Sequence, residues 1–163
     1  MSTVYPGRYS TKIEGSFVVF LIGLRVNRLL ALGKWIPVAK AMEPMLKELY
    51  ANPSLGFLGA HTSVYWRGVM VTQYWRNFDK LVDYAQMRDA AHLPAWKAFN
   101  QSVGADGTVG IWHETYQVAN GQYETIYANM PRFGLALAGT HELATGHLRD
   151  ARSRMQVTGG GPL

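Results

Sequence analysis

The sequence predicts an α+β domain of the split β-α-β kind, with apolar strands and amphipathic helices following one another as β-α-β-β-α-β. Three observations carry this prediction. Ser16 to Val26 reads SFVVFLIGLRV, the β-branched and aromatic run of a strand covered on both faces. Lys34 to Tyr50 places Val38, Met42, Met45, Leu46 and Leu49 at the spacing of one helical face. Asn77 then precedes Phe78, Leu81, Val82 and Ala85, which repeat that spacing behind a residue able to cap a helix.

The remaining elements follow in order. Residues 1–14 are polar, hold Pro6 and Gly7, and read as an N-terminal arm. Pro44 lies inside the first helical stretch, where its missing N–H predicts a kink or a shorter helix that restarts. Asn52, Pro53, Ser54 and Gly56 end that stretch, and two strands follow over Phe57–Trp66 and Arg67–Trp75. Asp79 falls in the first turn of the second helix, where the helix dipole favours an anion. A further helical piece begins near Pro94 and carries Trp96 and Phe99. After the loop GADGTVG come strands over Val109–Val118 and Gln122–Asn129, joined at Asn120-Gly121 as a hairpin. Leu143, Leu148, Ala151 and Met155 predict a C-terminal helix before a tail at Gly159 to Gly161. The chain thus divides into the arm, a ferredoxin-like domain over 15–139 with one extra strand, and a C-terminal segment over 140–163. A single such sheet leaves one face uncovered, so a homodimer forming a dimeric α/β barrel is expected.

Composition narrows the partners. At 163 residues with 48% hydrophobic and 17% charged side chains, the chain can bury a core as one globular domain. It has no cysteine, which removes disulfides, thiolate metal sites and thiolate haem ligation and agrees with an expected cytoplasmic location. The apolar run Phe17 to Leu24 is shorter than the roughly 20 residues of a membrane span and lacks a small-residue cleavage site, so neither a membrane partner nor a signal peptide is expected. The formal charge of +5 comes from scattered cations with no recognition motif, so no nucleic-acid partner is expected and a small-molecule substrate is.

Several familiar signatures fail on spacing. Gly104, Gly107 and Gly110 precede a strand, whereas a dinucleotide fingerprint opens a helix. His141 and His147 stand six apart and would point about 240° away from each other on one helix. The segment GIWHETYQVANGQYETIYANMPRFG stands out. Strand alternation sets His113 with Val109, Ile111 and Thr115 on one face, a largely apolar wall on which a neutral imidazole could ligate iron. Alternatively His113 hydrogen-bonds a neighbouring strand or is partly exposed.

From about Gly15 to Gly139, the segments GSFVVF, SVYWRGVMVTQYWRNFDKL, HLPAW and WHETY to YANMPRFG resemble the small bacterial and fungal proteins called the monooxygenase family of the dimeric α/β barrel superfamily. The hairpin alone is similar to aldoxime dehydratases, haem enzymes of the same fold superfamily. That resemblance implies a haem b held by His113 as proximal ligand, with Met130 where those enzymes place a catalytic histidine. Met130, Phe133, Trp66 and Tyr74 are the candidates for the opposite side of the iron, and Arg132 and Arg67 could pair with the propionates. The expected function is a haem-dependent enzyme acting on a small organic molecule by oxygenation or by nitrogen–oxygen bond chemistry. The alternative is a cofactor-independent monooxygenase using His92, in HLPAW, or Tyr74 as base; the third reading is a non-catalytic haem-binding protein. His61 reads as an ordinary strand histidine and the tryptophans as core or interface mass.

Overall fold

A computed structural model describes residues 2–87 and 105–159 together with Leu93 and Lys97. His92, Pro94, Trp96 and Phe99 lie outside the described residues, and with them the predicted helical piece near Pro94.

Strand β2 (Phe17–Val26) forms the axis of a four-stranded antiparallel sheet of order β3-β4-β2-β5. Its partners are β4 (Gly68–Trp75) and β5 (Val109–Val118), and β3 (Phe57–Tyr65) pairs outside β4. With helix α1 (Leu32–Lys40), helix α2 (Met42–Ala51) and helix α3 (Phe78–Gln86) between the strands, this is the ferredoxin-like α+β fold. Pro44 explains the break between the first two helices. Its ring would clash with the carbonyl four residues back, at Lys40, and the chain restarts at Ala41 so that Pro44 falls in a first turn, where no N–H is needed. α3 begins as predicted, with the Asn77 side chain accepting from the Lys80 N–H at 2.9 Å.

One face of the sheet is covered by these helices. Val18, Val71 and Trp75 pack there with Leu49, Leu81 and Tyr84, and Trp75 is fully buried with its indole N–H donated to Gln73 Oε1 at 2.9 Å. At the far end Tyr65 reaches across to donate to the Leu24 carbonyl at 2.7 Å and accept from the Trp112 indole. The Tyr65 ring occupies the space beside Gly68, where a Cβ would stand 2.4 Å from it, so the hairpin must carry glycine at that position.

The structure departs from the sequence reading at both ends of the chain. The expected arm contains strand β1 (Tyr5–Lys12), the centre of a second, three-stranded sheet flanked by β6 (Tyr127–Met130) and β7 (Thr140–Leu143). Pro6 and Gly7 fit because the register shifts between Tyr5 and Arg8, and the Gly7 N–H is donated to Asn129 Oδ1 at 2.9 Å. The predicted hairpin is overturned. The Ala119–Gln122 turn closes, at 3.0 Å from the Gln122 N–H to the Ala119 carbonyl, but the returning chain pairs with β1 and leaves β5 as an edge. Side chains replace the missing ladder: Tyr123 bonds both the N–H and the carbonyl of Ile13, and Thr125 bonds Ser10 and Thr11. The C-terminal helix is shorter than expected, α4 (Ala151–Gly159), because Thr140 to Leu143 joins the small sheet.

Arg154 pins α4 to that sheet. Its buried guanidinium meets Glu124 and donates to the carbonyls of Leu148, at 2.9 Å, and Arg149, at 3.0 Å. Arg154→Met leaves Glu124 and two carbonyls without their donor, and urea unfolding should show a loss of about 3 kcal/mol. Lys47→Met, which removes only an exposed helix-surface pair with Glu43, should leave the midpoint unchanged within error.

Candidate active site

Residues directly opposite each other in antiparallel strands project to the same face, so the register sorts the candidate side chains. One row runs Thr62, Val71, Ile22, His113. This is the helix-covered face, since Val71 lies in the core with Leu49 and Leu81. The adjacent row runs His61, Thr72, Leu21, Glu114 on the other face, together with Tyr74, Val19 and Tyr116.

The residues expected around a haem therefore do not converge. His113 follows the predicted alternation, with Phe20 at 5.7 Å between ring centroids, but it sits on an edge strand and is exposed where a buried wall was expected. Phe133 lies against His61, on the opposite side of the sheet. Trp66 is 80% exposed at the tip of the β3–β4 turn. Arg67, in the left-handed region at φ 63°, donates to the carbonyls of Val26 and Asn27, which takes its guanidinium away from any propionate. Met130 ends β6, and the Arg132 charge acts on His141. A porphyrin held by His113 cannot also touch Phe133 across the sheet, so this set does not fit a haem. No group of three or more acidic, histidine or cysteine side chains suited to a metal occurs among the described residues.

What the fold does assemble is a polar and aromatic cluster where the small sheet meets the open face of the large one. His61, from β3, packs on Phe133 at 4.4 Å between centroids, and its Nδ1 is buried with no hydrogen-bond partner among the described residues. Burial lowers its pKa below the ordinary imidazole value, so the ring is neutral near pH 7. Tyr74, from β4, stands 6.5 Å from His61 between centroids. Its burial, and then the neighbouring Tyr127, raise its phenol to about 12. Tyr74 was expected as a possible base; with that shift it stays protonated at neutral pH and serves as a donor.

Gly134 adjoins both phenols of this cluster. It sits at φ 59°, and a Cβ there would lie 3.6 Å from the Tyr74 hydroxyl and 3.7 Å from that of Tyr127. Sequence reasoning missed His61. The signal, a histidine two residues from Ser63 in a strand, became informative only once the register placed it on the face of Tyr74 and opposite Phe133.

A groove of about 450 Å³ opens on the helix side, between α1, α2 and the strands at Thr62, Val69 and Val71. Its polar groups are committed elsewhere, the Tyr50 hydroxyl to the N–H and carbonyl of Ala60 and Lys47 to Glu43. It offers apolar surface and no free acid or base.

The monooxygenase af470-like family profile matches residues 17–135. The chain belongs to this family. It is 27% identical over 129 residues to monooxygenase af470 of Aspergillus fumigatus, a match covering 71% of this chain and 44% of that protein. The chain thus spans less than half the length of the curated relative it matches. Among solved structures, aldoxime dehydratase OxdRE in complex with butyraldoxime superposes with a TM-score of 0.63 at 15% identity, over 90% of this chain and 40% of that one. SnoaB of Streptomyces nogalater, a cofactor-independent oxygenase, gives 0.45 at 12% identity over 62% and 91%. At these identities the likeness to the dehydratase concerns the fold.

His61 and His141 both lie below their ordinary value through burial, whereas in the unfolded chain they titrate near 6.5. The unfolded chain therefore binds more protons as pH falls through that range, and the folded state loses stability on acidification. The urea midpoint should drop between about pH 7.5 and about pH 5.5, and the drop should shrink in His61→Gln.

Proposed function

We propose that this chain is a monooxygenase acting on a small, apolar carbon acid where its two sheets meet, with His61 as base and Tyr74 as proton donor. The observation that carries this reading is the buried, unpartnered Nδ1 of His61, whose ring packs on Phe133 and stands 6.5 Å from that of Tyr74 between centroids. A neutral imidazole in an apolar wall is a competent general base, and a phenol held protonated supplies the complementary acid. The chemistry needs only those two groups and dry surroundings. His61 takes a proton from an activated methylene, and the carbanion reduces dioxygen and captures it as a peroxide. The imidazolium returns its proton to make the hydroperoxide. His61, neutral again, removes the second C–H proton as the O–O bond breaks and hydroxide leaves. Tyr74 protonates that hydroxide to water, and the imidazolium restores the proton to the phenol. One oxygen atom ends as a carbonyl on the substrate and the other as water, with all four electrons supplied by the carbon. Family membership supports oxygenation, and the division of the haem candidates across the sheet speaks against a haem at His113.

The open face also supports a homodimer. Tyr116 is half exposed on it, with Leu21, Met70 and Trp112 half-buried on the same face, and a second copy laid there would cover it and exclude water. Light scattering after size exclusion should report twice the monomer mass.

Anthrone, whose methylene is acidic, is a suitable probe with dioxygen. Anthraquinone should form with one O₂ consumed per product. His61→Gln should lower kcat by at least about a hundredfold, with activity in the parent enzyme falling as acid protonates His61. Tyr74→Phe should cost about tenfold. A purified sample with a Soret band that vanishes in His113→Ala would overturn the reading, as would full turnover in His61→Gln.

A further inference from the structure

The end of the large sheet at Arg25, Gly68 and Gly110 is closed by three loops: residues 27–31 between β2 and α1, Trp66 and Arg67 between β3 and β4, and residues 105–108 before β5. Hydrogen bonds tie them together. The Val26 N–H is donated to the Arg67 carbonyl at 2.7 Å and the Asn27 N–H to the Thr108 carbonyl at 3.0 Å. The Asn27 side chain donates to the Gly107 carbonyl at 3.0 Å. Arg67 completes the tie through the carbonyls of Val26 and Asn27, in a left-handed conformation that strains a residue bearing a Cβ. The Trp35 indole holds Leu29 by donating to its carbonyl at 3.0 Å. The loops are thus fixed in shape, and what they display is part of the fold.

They display apolar side chains. Leu30 is 97% exposed, Leu29 and Leu32 are about half exposed, and Trp66 stands out on the adjoining turn. The core beneath them, Leu24, Val26 and Val109 under Trp35 and Val38, is closed without their help. Exposed apolar groups rimmed by charge mark a contact surface. Here the rim is basic: Arg25, Arg28, Lys34 and Arg67 stand against one carboxylate among the described residues of these loops, Asp106, which pairs with Lys34. Side chains that protrude this far offer no groove to a folded partner and suit a soft apolar phase that they can enter. From this placement we propose that the loop end of the large sheet is an interfacial anchor. Leu29, Leu30, Leu32 and Trp66 enter the outer part of an anionic lipid bilayer, and Arg25 and Arg28 meet its headgroups. Leucine and tryptophan partition into that zone, and cations beside them are drawn to anionic lipid. No described helix is long and apolar enough to cross a membrane, and adsorption at its surface needs none. The anchor uses neither His61 nor Tyr74 and does not rest on the oxygenase reading.

Binding is measured by sedimentation with vesicles of phosphatidylcholine containing about one-third phosphatidylserine. The parent chain should bind these and bind pure phosphatidylcholine vesicles at least about fivefold more weakly. Leu30→Asp and Trp66→Asp should each lower partitioning at least about tenfold, and Arg28→Gln about fivefold, a loss that fades at high salt. Leu143→Asp makes the same change at an exposed leucine of the small sheet and should cost less than about twofold. Brominated lipid, which quenches tryptophan near the acyl chains, should dim the parent's fluorescence more than that of Trp66→Phe. Circular dichroism checks that each variant is folded, as expected for changes at exposed side chains. A parent chain that does not sediment with either vesicle overturns the proposal, as does binding that Leu30→Asp and Leu143→Asp lower alike. Vesicle binding unaltered in Leu30→Asp, with its mass halved by light scattering, also overturns it and assigns the surface to contact between copies. Anthrone turnover does not enter these measurements, so vesicle binding by a chain without oxygenase activity leaves the anchor standing and removes only the reaction.

Discussion

The register of β2 is the constraint on which everything else depends. Its ten residues pair in step with β5 from Phe17 opposite Val118 to Val26 opposite Val109, and on the other side with β4 from Val18 opposite Trp75. A slip of one residue would turn Val18, Phe20 and Ile22 away from the helices and bring Val19 and Leu21 under them. The fully buried Trp75, wedged against Phe57 and Tyr84 with its indole N–H satisfied by Gln73, holds that register from the centre of the core.

The second sheet depends on side chains where a hairpin would have used backbone. Because the segment after Gly121 leaves β5, its polar groups are met by Tyr123 on Ile13, by Thr125 on Ser10 and Thr11, and by Glu124 on Arg154. These contacts bind β1 and the C-terminal helix into one unit that covers part of the open face. The cover is incomplete. Phe133 at 42% exposure and Tyr116 at 51% lie outside that cover.

Burial acts on His61 and Tyr74 in the same sense. It disfavours charge on either, so the imidazole of His61 is left without its extra proton and the phenol of Tyr74 keeps its own. In the proposed reaction these two would be the base and the acid, with no ion pair between them. Unmet polar atoms weaken the fold, and their concentration beside Tyr74 and Tyr127 fits the tendency of proteins to hold such costs at functional sites.

Local sequence determined the strands and helices of the large sheet: the apolar run at β2, the proline-forced break at Ala41 and the Asn77 cap are each set by residues within a few positions. It also determined that His113 alternates with Ile111 and Thr115, because strand period needs no partner. Tertiary structure decided the rest. Asn120-Gly121 makes its turn from local chemistry alone, yet which strand the chain meets next was fixed by Tyr123 and Thr125 finding partners more than a hundred residues away. His61 gained its place by the same means, since its neighbours Phe133 and Tyr74 belong to other elements and only the pairing of strands brings their rings together. Periodicity reports which way a side chain points; what it points at depends on contacts distant in the chain.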